Sequence, residues 1–147
     1  MSQPSTPAPE RTLVIVKPDG VARGLTGDVL RRVEAKGYRI VALWMVQAGQ
    51  EQLAAHYAEH QGKPFYGPLV EFMSSGPVVV ALVEGHRVVE GFRSLAGSTE
   101  PTAAAPGTVR GDLGRDWGLA VQQNIVHGSD SPESAAREIE IWFGTQD

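Results

Sequence analysis

One chain of 147 residues reads in the order strand, helix, strand, helices, strand, helix, strand, helix. That order predicts an α+β fold: a ferredoxin-like sandwich, a four-stranded and mainly antiparallel sheet covered by helices. Two observations carry the prediction. Short β-branched apolar runs recur along the chain, and segments with a period near 3.6 separate them. The length suits a single domain, taken as residues 11–147 after a disordered, proline-rich tail at residues 1–10.

Thr12-Leu13-Val14-Ile15-Val16 is uniformly apolar or β-branched, as in a strand buried on both faces, and it stops at a tight turn, Lys17-Pro18-Asp19-Gly20. Lys17 therefore emerges at a strand end. The glycines that follow imitate a phosphate loop, but no Gly-x-x-x-x-Gly-Lys-Ser/Thr occurs. Thr26 can cap a helix whose inner face is Val29, Leu30 and Val33, and Ile40 to Val46 forms the second strand. From Gln50 the pattern is helical, with Leu53, Ala54, Tyr57 and His60 in one sector; taken alone, Tyr57 reads as a core tyrosine whose hydroxyl finds a partner. Gly62-Lys63-Pro64 breaks this helix. Phe65 and Tyr66 then meet a turn, where an aromatic pair can stack on a flat ligand or plug a small cluster, ahead of a segment containing Leu69, Val70, Phe72 and Met73.

The third strand is Val78 to Val83, followed by a helix from His86 to Ala96 with Val88, Val89, Phe92 and Leu95 inward. Arg93 falls at the rim of that face, placed either to reach a cleft or to cover the core edge with its stem. Gly97 to Gly111 shows no period and reads as a long irregular loop, in which Thr99 and Arg110 could donate to an anion. After an excursion at Gly114 to Gly118, Leu119-Ala120-Val121 reads as the fourth strand. The last helix buries Ala135, Ala136, Ile139, Trp142 and Phe143 and turns Glu133, Arg137 and Glu140 to water, with Glu133 and Arg137 as an i,i+4 pair. Glu138 sits off the centre of the buried stripe, and a half-buried carboxylate needs a partner.

The natural partner is His127. The stretch Asn124 to Ser131 places an imidazole ahead of a run of turn residues, and Ser131-Pro132-Glu133 has the signature of a helix start. His127 is thus expected on a loop between a strand end and a helix N-terminus, an edge rich in free N–H groups that suit anions. An ordinary imidazole, with a pKa of about 6.5, is largely neutral and nucleophilic at neutral pH. A phosphate-handling histidine follows, against the alternative of a histidine that only bonds within its loop.

Composition removes other classes. The net charge of −4 disfavours a broad grip on nucleic acid, and the absence of cysteine excludes disulfides, thiolate zinc sites and thiol nucleophiles. The longest apolar run, Val78 to Val83, falls far short of the roughly 18 residues of a membrane span, and the N-terminus lacks the basic start and apolar centre of a signal peptide. A cytoplasmic protein is expected.

Three motifs together are distinctive: Lys-Pro-Asp-Gly-Val at Lys17 to Val21, Pro-Gly-Thr-x-Arg-Gly-Asp at Pro106 to Asp112, and Asn-x-x-His-Gly-Ser-Asp-Ser at Asn124 to Ser131. From about Arg11 to Phe143 the chain resembles the nucleoside diphosphate kinase family. The resemblance implies a ferredoxin-like fold and transfer of the terminal phosphoryl group from a nucleoside triphosphate, mainly ATP, to nucleoside diphosphates. It also implies a ping-pong route through a phosphohistidine, with Mg²⁺ bound by the nucleotide phosphates and broad base specificity. Carried over by position, His127 is the nucleophile and Glu138 the carboxylate on its other ring nitrogen. Lys17, Tyr57, Arg93, Thr99 and Arg110 hold phosphates, and Lys17 and Asn124 lie near the ribose. Phe65 and Val121 sandwich the base with Leu69 alongside, Ser129 bonds Glu138, and Asp130 lies near the water shell of the metal. The segment between Asp112 and Asn124 is a few residues longer than in common members. The resemblance further implies a homo-oligomer: a hexamer, tetramer or dimer.

Overall fold

A computed structural model describes residues 8–144 of the chain. Most of the tail expected at residues 1–10 lies outside the described residues; β1 (Glu10–Val16) already begins at Glu10. The chain continues through α1 (Pro18–Ala22), α2 (Thr26–Ala35), β2 (Arg39–Val46), α3 (Gln50–His56), α4 (Tyr66–Met73), β3 (Val78–Gly85), α5 (Val88–Ala96), α6 (Val109–Leu113), β4 (Val126–Gly128) and α7 (Pro132–Phe143). Short 3₁₀ turns occupy Ala58–His60 and Pro101–Ala103.

The sheet order is β2-β3-β1-β4, antiparallel at every pairing. The expected four-stranded α+β sandwich is therefore present. Continuous apolar runs make the two central strands because helices cover both faces. Leu13, Ile15, Val78, Val80 and Leu82 pack toward Leu53, Met73, Ile139 and Trp142 on one face. Their alternates, Val14, Val16, Val79, Ala81 and Val83, pack toward Val29, Val33, Phe92 and Val109 on the other. β2 is an edge strand and keeps Leu43, Trp44 and Met45 exposed at 46%, 49% and 63%.

Five expectations are corrected. Leu119–Val121 is not a strand: Leu119 is exposed, and β4 lies further on at Val126–Gly128. What makes β4 a strand is pairing with β1, through Val14–Gly128, Ile15–His127 and Val16–Val126. His127 consequently sits within β4 rather than on the loop after it. The turn at Lys17 to Gly20 is largely the helix α1, with Pro18 at its first position, where a missing N–H costs nothing. The helix from Gln50 ends at His56, leaving Tyr57 as its C-cap, and Thr26 opens α2 without capping it.

Candidate active site

The register of β4 aims the key side chain. His127 lies opposite Ile15, so its imidazole points to the face where Ile15 packs, between the end of α3 and the middle of α7. Gly128 allows this close docking, since a Cβ there would fall 2.5 Å from Phe92 Cδ2 of α5. α7 starts at Ser131, whose hydroxyl accepts from Ser134 N–H at 3.1 Å, and carries Glu138 back to the strand.

His127 Nε2 and Glu138 Oε1 are 2.7 Å apart, and the Ser129 hydroxyl donates to the same carboxylate oxygen at 2.9 Å. Ser129 Oγ in turn accepts the Leu13 N–H at 3.3 Å, tying the carboxylate to β1. Burial opposes ionisation of Glu138, but the His127 hydrogen bond, the charges of His127 and His56 and the Ser129 bond outweigh it and hold the carboxyl below its ordinary range. With Nε2 on the carboxylate, Nδ1 is the ring nitrogen free of a hydrogen bond among the described residues.

Cations gather around this ring. The half-buried Lys17 donates from Nζ to Asn124 Oδ1 at 2.8 Å, and Asn124 Nδ2 donates to Thr99 O at 3.0 Å. Burial lowers the Lys17 pKa to about 8, helped by Arg110 and opposed by Asp19. Arg110 donates to three main-chain carbonyls: Asn124 O at 3.1 Å, Gly97 O at 2.9 Å and Val126 O at 2.7 Å. Two of the five N–H groups of a guanidinium remain for a ligand. The Asn124–Val126 backbone they grip is a γ-turn, with Val126 N–H donating to Asn124 O at 2.7 Å and Ile125 at φ 73°. A β-branched residue in that region stores strain of about 1–3 kcal/mol.

His56, at the end of α3, packs edge-on to His127 with ring centroids 4.7 Å apart. Its Nδ1 accepts the Trp142 indole N–H at 3.0 Å, and its pKa is lowered to about 3, by burial first and then by the positive charge of His127. His56, His127 and Glu138 bring potential ligand atoms within 4.8 Å of one another, the spacing of a metal centre. The hydrogen bonds argue otherwise. An indole only donates, so neutral His56 carries its proton on Nε2 and offers no lone pair to an ion there. Tyr57 stacks its ring edge on His56, and burial, with the Glu138 charge, pushes its hydroxyl pKa up.

Lys17, Tyr57, Arg93, Thr99, Arg110, Asn124, Asp130, His127 and Glu138 thus line one cleft of about 230 Å³. Phe65, Leu69 and Val121 do not: Phe65 is 48% exposed, beyond His60, whose ring meets it at 5.1 Å, while Leu69 and Val121 are half-buried elsewhere. The cleft wall also contains His56, His60 and Arg137, which sequence reasoning left out of the site. Arg137 is exposed as expected, and its guanidinium donates to Ala55 O at 3.1 Å and lies 3.7 Å from Glu138 Oε2. For His56, a histidine directly before the singled-out Tyr57 was the available signal.

The family model described as nucleoside diphosphate kinase matches residues 10–147. The nucleoside diphosphate kinase of Saccharopolyspora erythraea is 60% identical over 135 residues, covering 91% of this chain and 96% of its own length. That of Mycolicibacterium gilvum is 58% identical with the same coverage. Among solved structures, the Halobacterium salinarum nucleoside diphosphate kinase in complex with CDP superposes with a TM-score of 0.87 at 44% identity, covering 93% of this chain and 89% of that one. A Babesia bovis family protein gives 0.85 at 45% identity, covering 91% and 88%. The chain belongs to the nucleoside diphosphate kinase family, enzymes that pass the terminal phosphoryl group from nucleoside triphosphates to nucleoside diphosphates.

Proposed function

We propose that the transfer runs in two half-reactions through His127 Nδ1. The observation that supports this most is the 2.7 Å contact between Nε2 and Glu138, which leaves Nδ1 as the nucleophilic nitrogen of a ring lining a cationic cleft. Nδ1 attacks the γ-phosphorus, the bond to the bridging oxygen breaks, and the nucleoside diphosphate leaves with that electron pair. The positive charge left on the ring rests on the Glu138 carboxylate through Nε2–H. A second diphosphate then attacks the phosphorus with a terminal oxygen and restores the imidazole. Such chemistry asks for positioning and charge neutralisation more than for strong acids or bases.

Lys17, Arg93 and the two remaining N–H groups of Arg110 hold phosphates in this reading, with Thr99 and the protonated Tyr57 hydroxyl as neutral donors and Asn124 toward the ribose. Phe65 is exposed enough to stack on a base of any kind, with Val121 on the other face of the base and Leu69 alongside in this reading. The solved complex of the Halobacterium relative with CDP supports a nucleotide in this cleft. A divalent ion fits as a passenger of the phosphates: exposed Asp130 is within reach through water, and no cage of carboxylates forms among the described residues. Mg²⁺ would neutralise phosphate charge. The open edge of β2 with its exposed Leu43, Trp44 and Met45 supports a homo-oligomer, and the absence of cysteine fits the cytoplasm. No helix among the described residues is long and apolar enough to cross a membrane.

Incubation with γ-labelled ATP and magnesium tests the reaction. The protein should take up acid-labile label, lose it to added GDP as GTP, and take up none as His127→Ala. A wild type that neither takes up label nor forms GTP refutes the reading.

A further inference from the structure

Asp19 belongs to none of the roles above, yet it is 7% exposed and bonded to the backbone two residues ahead of His127. Its Oδ2 accepts the Ile125 N–H at 3.0 Å, across 106 residues of chain. Its Oδ1 is out of water and has no hydrogen-bond partner among the described residues. A buried carboxylate oxygen without a hydrogen bond is costly unless charge compensates it. The compensation comes through space from Lys17 and Arg110, whose positive charges Asp19 favours.

We propose that Asp19 is a positioning residue for the phosphate cleft: it holds the γ-turn at Ile125 and supplies the negative charge that lets Lys17 and Arg110 share one corner as cations. This rests on the phosphate-binding roles proposed for those two residues. The turn is gripped from two sides. Asp19 takes the Ile125 N–H, and Lys17 N–H donates to Ile125 O at 2.8 Å, so α1 holds both polar groups of the left-handed residue. α1 packs directly on the turn, since a Cβ on Gly20 would meet Val16 Cγ1 at 2.8 Å and Ile125 Cγ2 at 3.0 Å. The turn presents Asn124 O and Val126 O to Arg110 and starts the strand that carries His127. Relaxing Ile125 would therefore move a cation, the ribose-side amide and the nucleophile together.

The charge matters separately. Around Lys17, α6 brings Arg110, α5 brings Arg93, β4 brings His127 and α3 brings His56. Tyr57 and His56 are held neutral, Glu138 is engaged with His127, and Glu59 and Asp130 line the same cleft; Asp19 is the carboxylate whose charge favours the Lys17 cation. Without it, Lys17 would lose its proton at lower pH.

Two variants of the full chain separate the functions. Asp19→Asn keeps an acceptor oxygen and removes the charge, whereas Asp19→Ala removes both. The titration of Lys17, followed by NMR of its side chain, should fall by roughly one pH unit in Asp19→Asn. The alkaline limb of kcat/KM for the nucleoside diphosphate should move down with it, with a loss of about fivefold at pH 8 and little at pH 6. Asp19→Ala should lose about tenfold or more already at pH 6. An unchanged Lys17 titration in Asp19→Asn overturns the charge role, and wild-type kcat/KM at pH 6 in a folded Asp19→Ala overturns the turn-holding role. If Asp19→Ala fails to fold, the Lys17 titration of Asp19→Asn decides the charge role, and hydrogen exchange of the Ile125 amide in that variant decides the turn-holding role, which wild-type protection on the weaker neutral acceptor overturns. That titration needs no turnover, so it stands or falls apart from the phosphohistidine itself.

Discussion

Two histidines face each other across the cleft, 4.7 Å apart between ring centroids, and they differ chiefly in what holds their second nitrogen. His127 rests on a carboxylate, which accepts a proton and can carry a positive ring. His56 rests on an indole N–H, which forbids a proton on that nitrogen and so opposes a positive ring. The same side chain is thus able to carry a positive charge on β4, as the proposed nucleophile needs, and forms a neutral wall on α3. Burial adds to the difference: His56 is 4% exposed against 20% for the His127 side chain, and burial is the first cause of the lowered His56 pKa.

The largest test of this contrast is deletion of the nucleophile. His127→Ala should lower kcat by at least about 10⁴-fold while His56 stays in place, and an imidazole at position 56 should rescue nothing. Next is acid stability. His56 titrates near 3 when folded and near 6.5 when unfolded, so between these values the unfolded chain binds more protons. Stability should be full above about pH 6.5 and fall as pH drops toward 3, by a few kcal/mol. His56→Phe should flatten that slope in urea unfolding at successive pH values. The depressed Glu138 pKa works in the same direction at lower pH.

Glu138→Gln removes the charge that distinguishes the two rings. It should leave nucleotide binding near wild type and slow transfer by roughly 10–100-fold, the worth of a hydrogen bond to a charged group. Unchanged single-turnover rates would remove Glu138 from the reaction. The smallest effect is expected for Trp142→Phe, which frees His56 Nδ1 at a stability cost of about 1–2 kcal/mol and should leave phosphorylation of His127 within a few-fold.

The two histidines also mark how far the sequence could be read. β1 and β3 were legible because strands buried on both faces need unbroken apolar runs. β4 was not, since three residues carry almost no pattern and its identity comes from pairing with β1. The apolar triplet Leu119–Val121 drew the assignment instead, and it lies on the surface outside any strand. Glu138 was legible as a carboxylate half-turned to the core, and His127 as its partner. His56 and Asp19 acquire meaning only from Trp142 and Ile125, 86 and 106 residues away, and nothing local announces such partners. The exposure of Arg137 was legible on the helix wheel, but its bond to α3 was not, because the wheel gives an angle and not a neighbour.

Arg110 fastens Gly97, Asn124 and Val126 with one rigid plane. An anion seated on the other two N–H groups of that plane would pull on all three stretches at once, so occupancy of the cleft should stiffen backbone that no ligand touches. Slower hydrogen–deuterium exchange at Ile125, Val126 and their neighbours with nucleotide present would reveal this. Lysine, a single point of charge, could fill the anion's half of the work but never hold the chain.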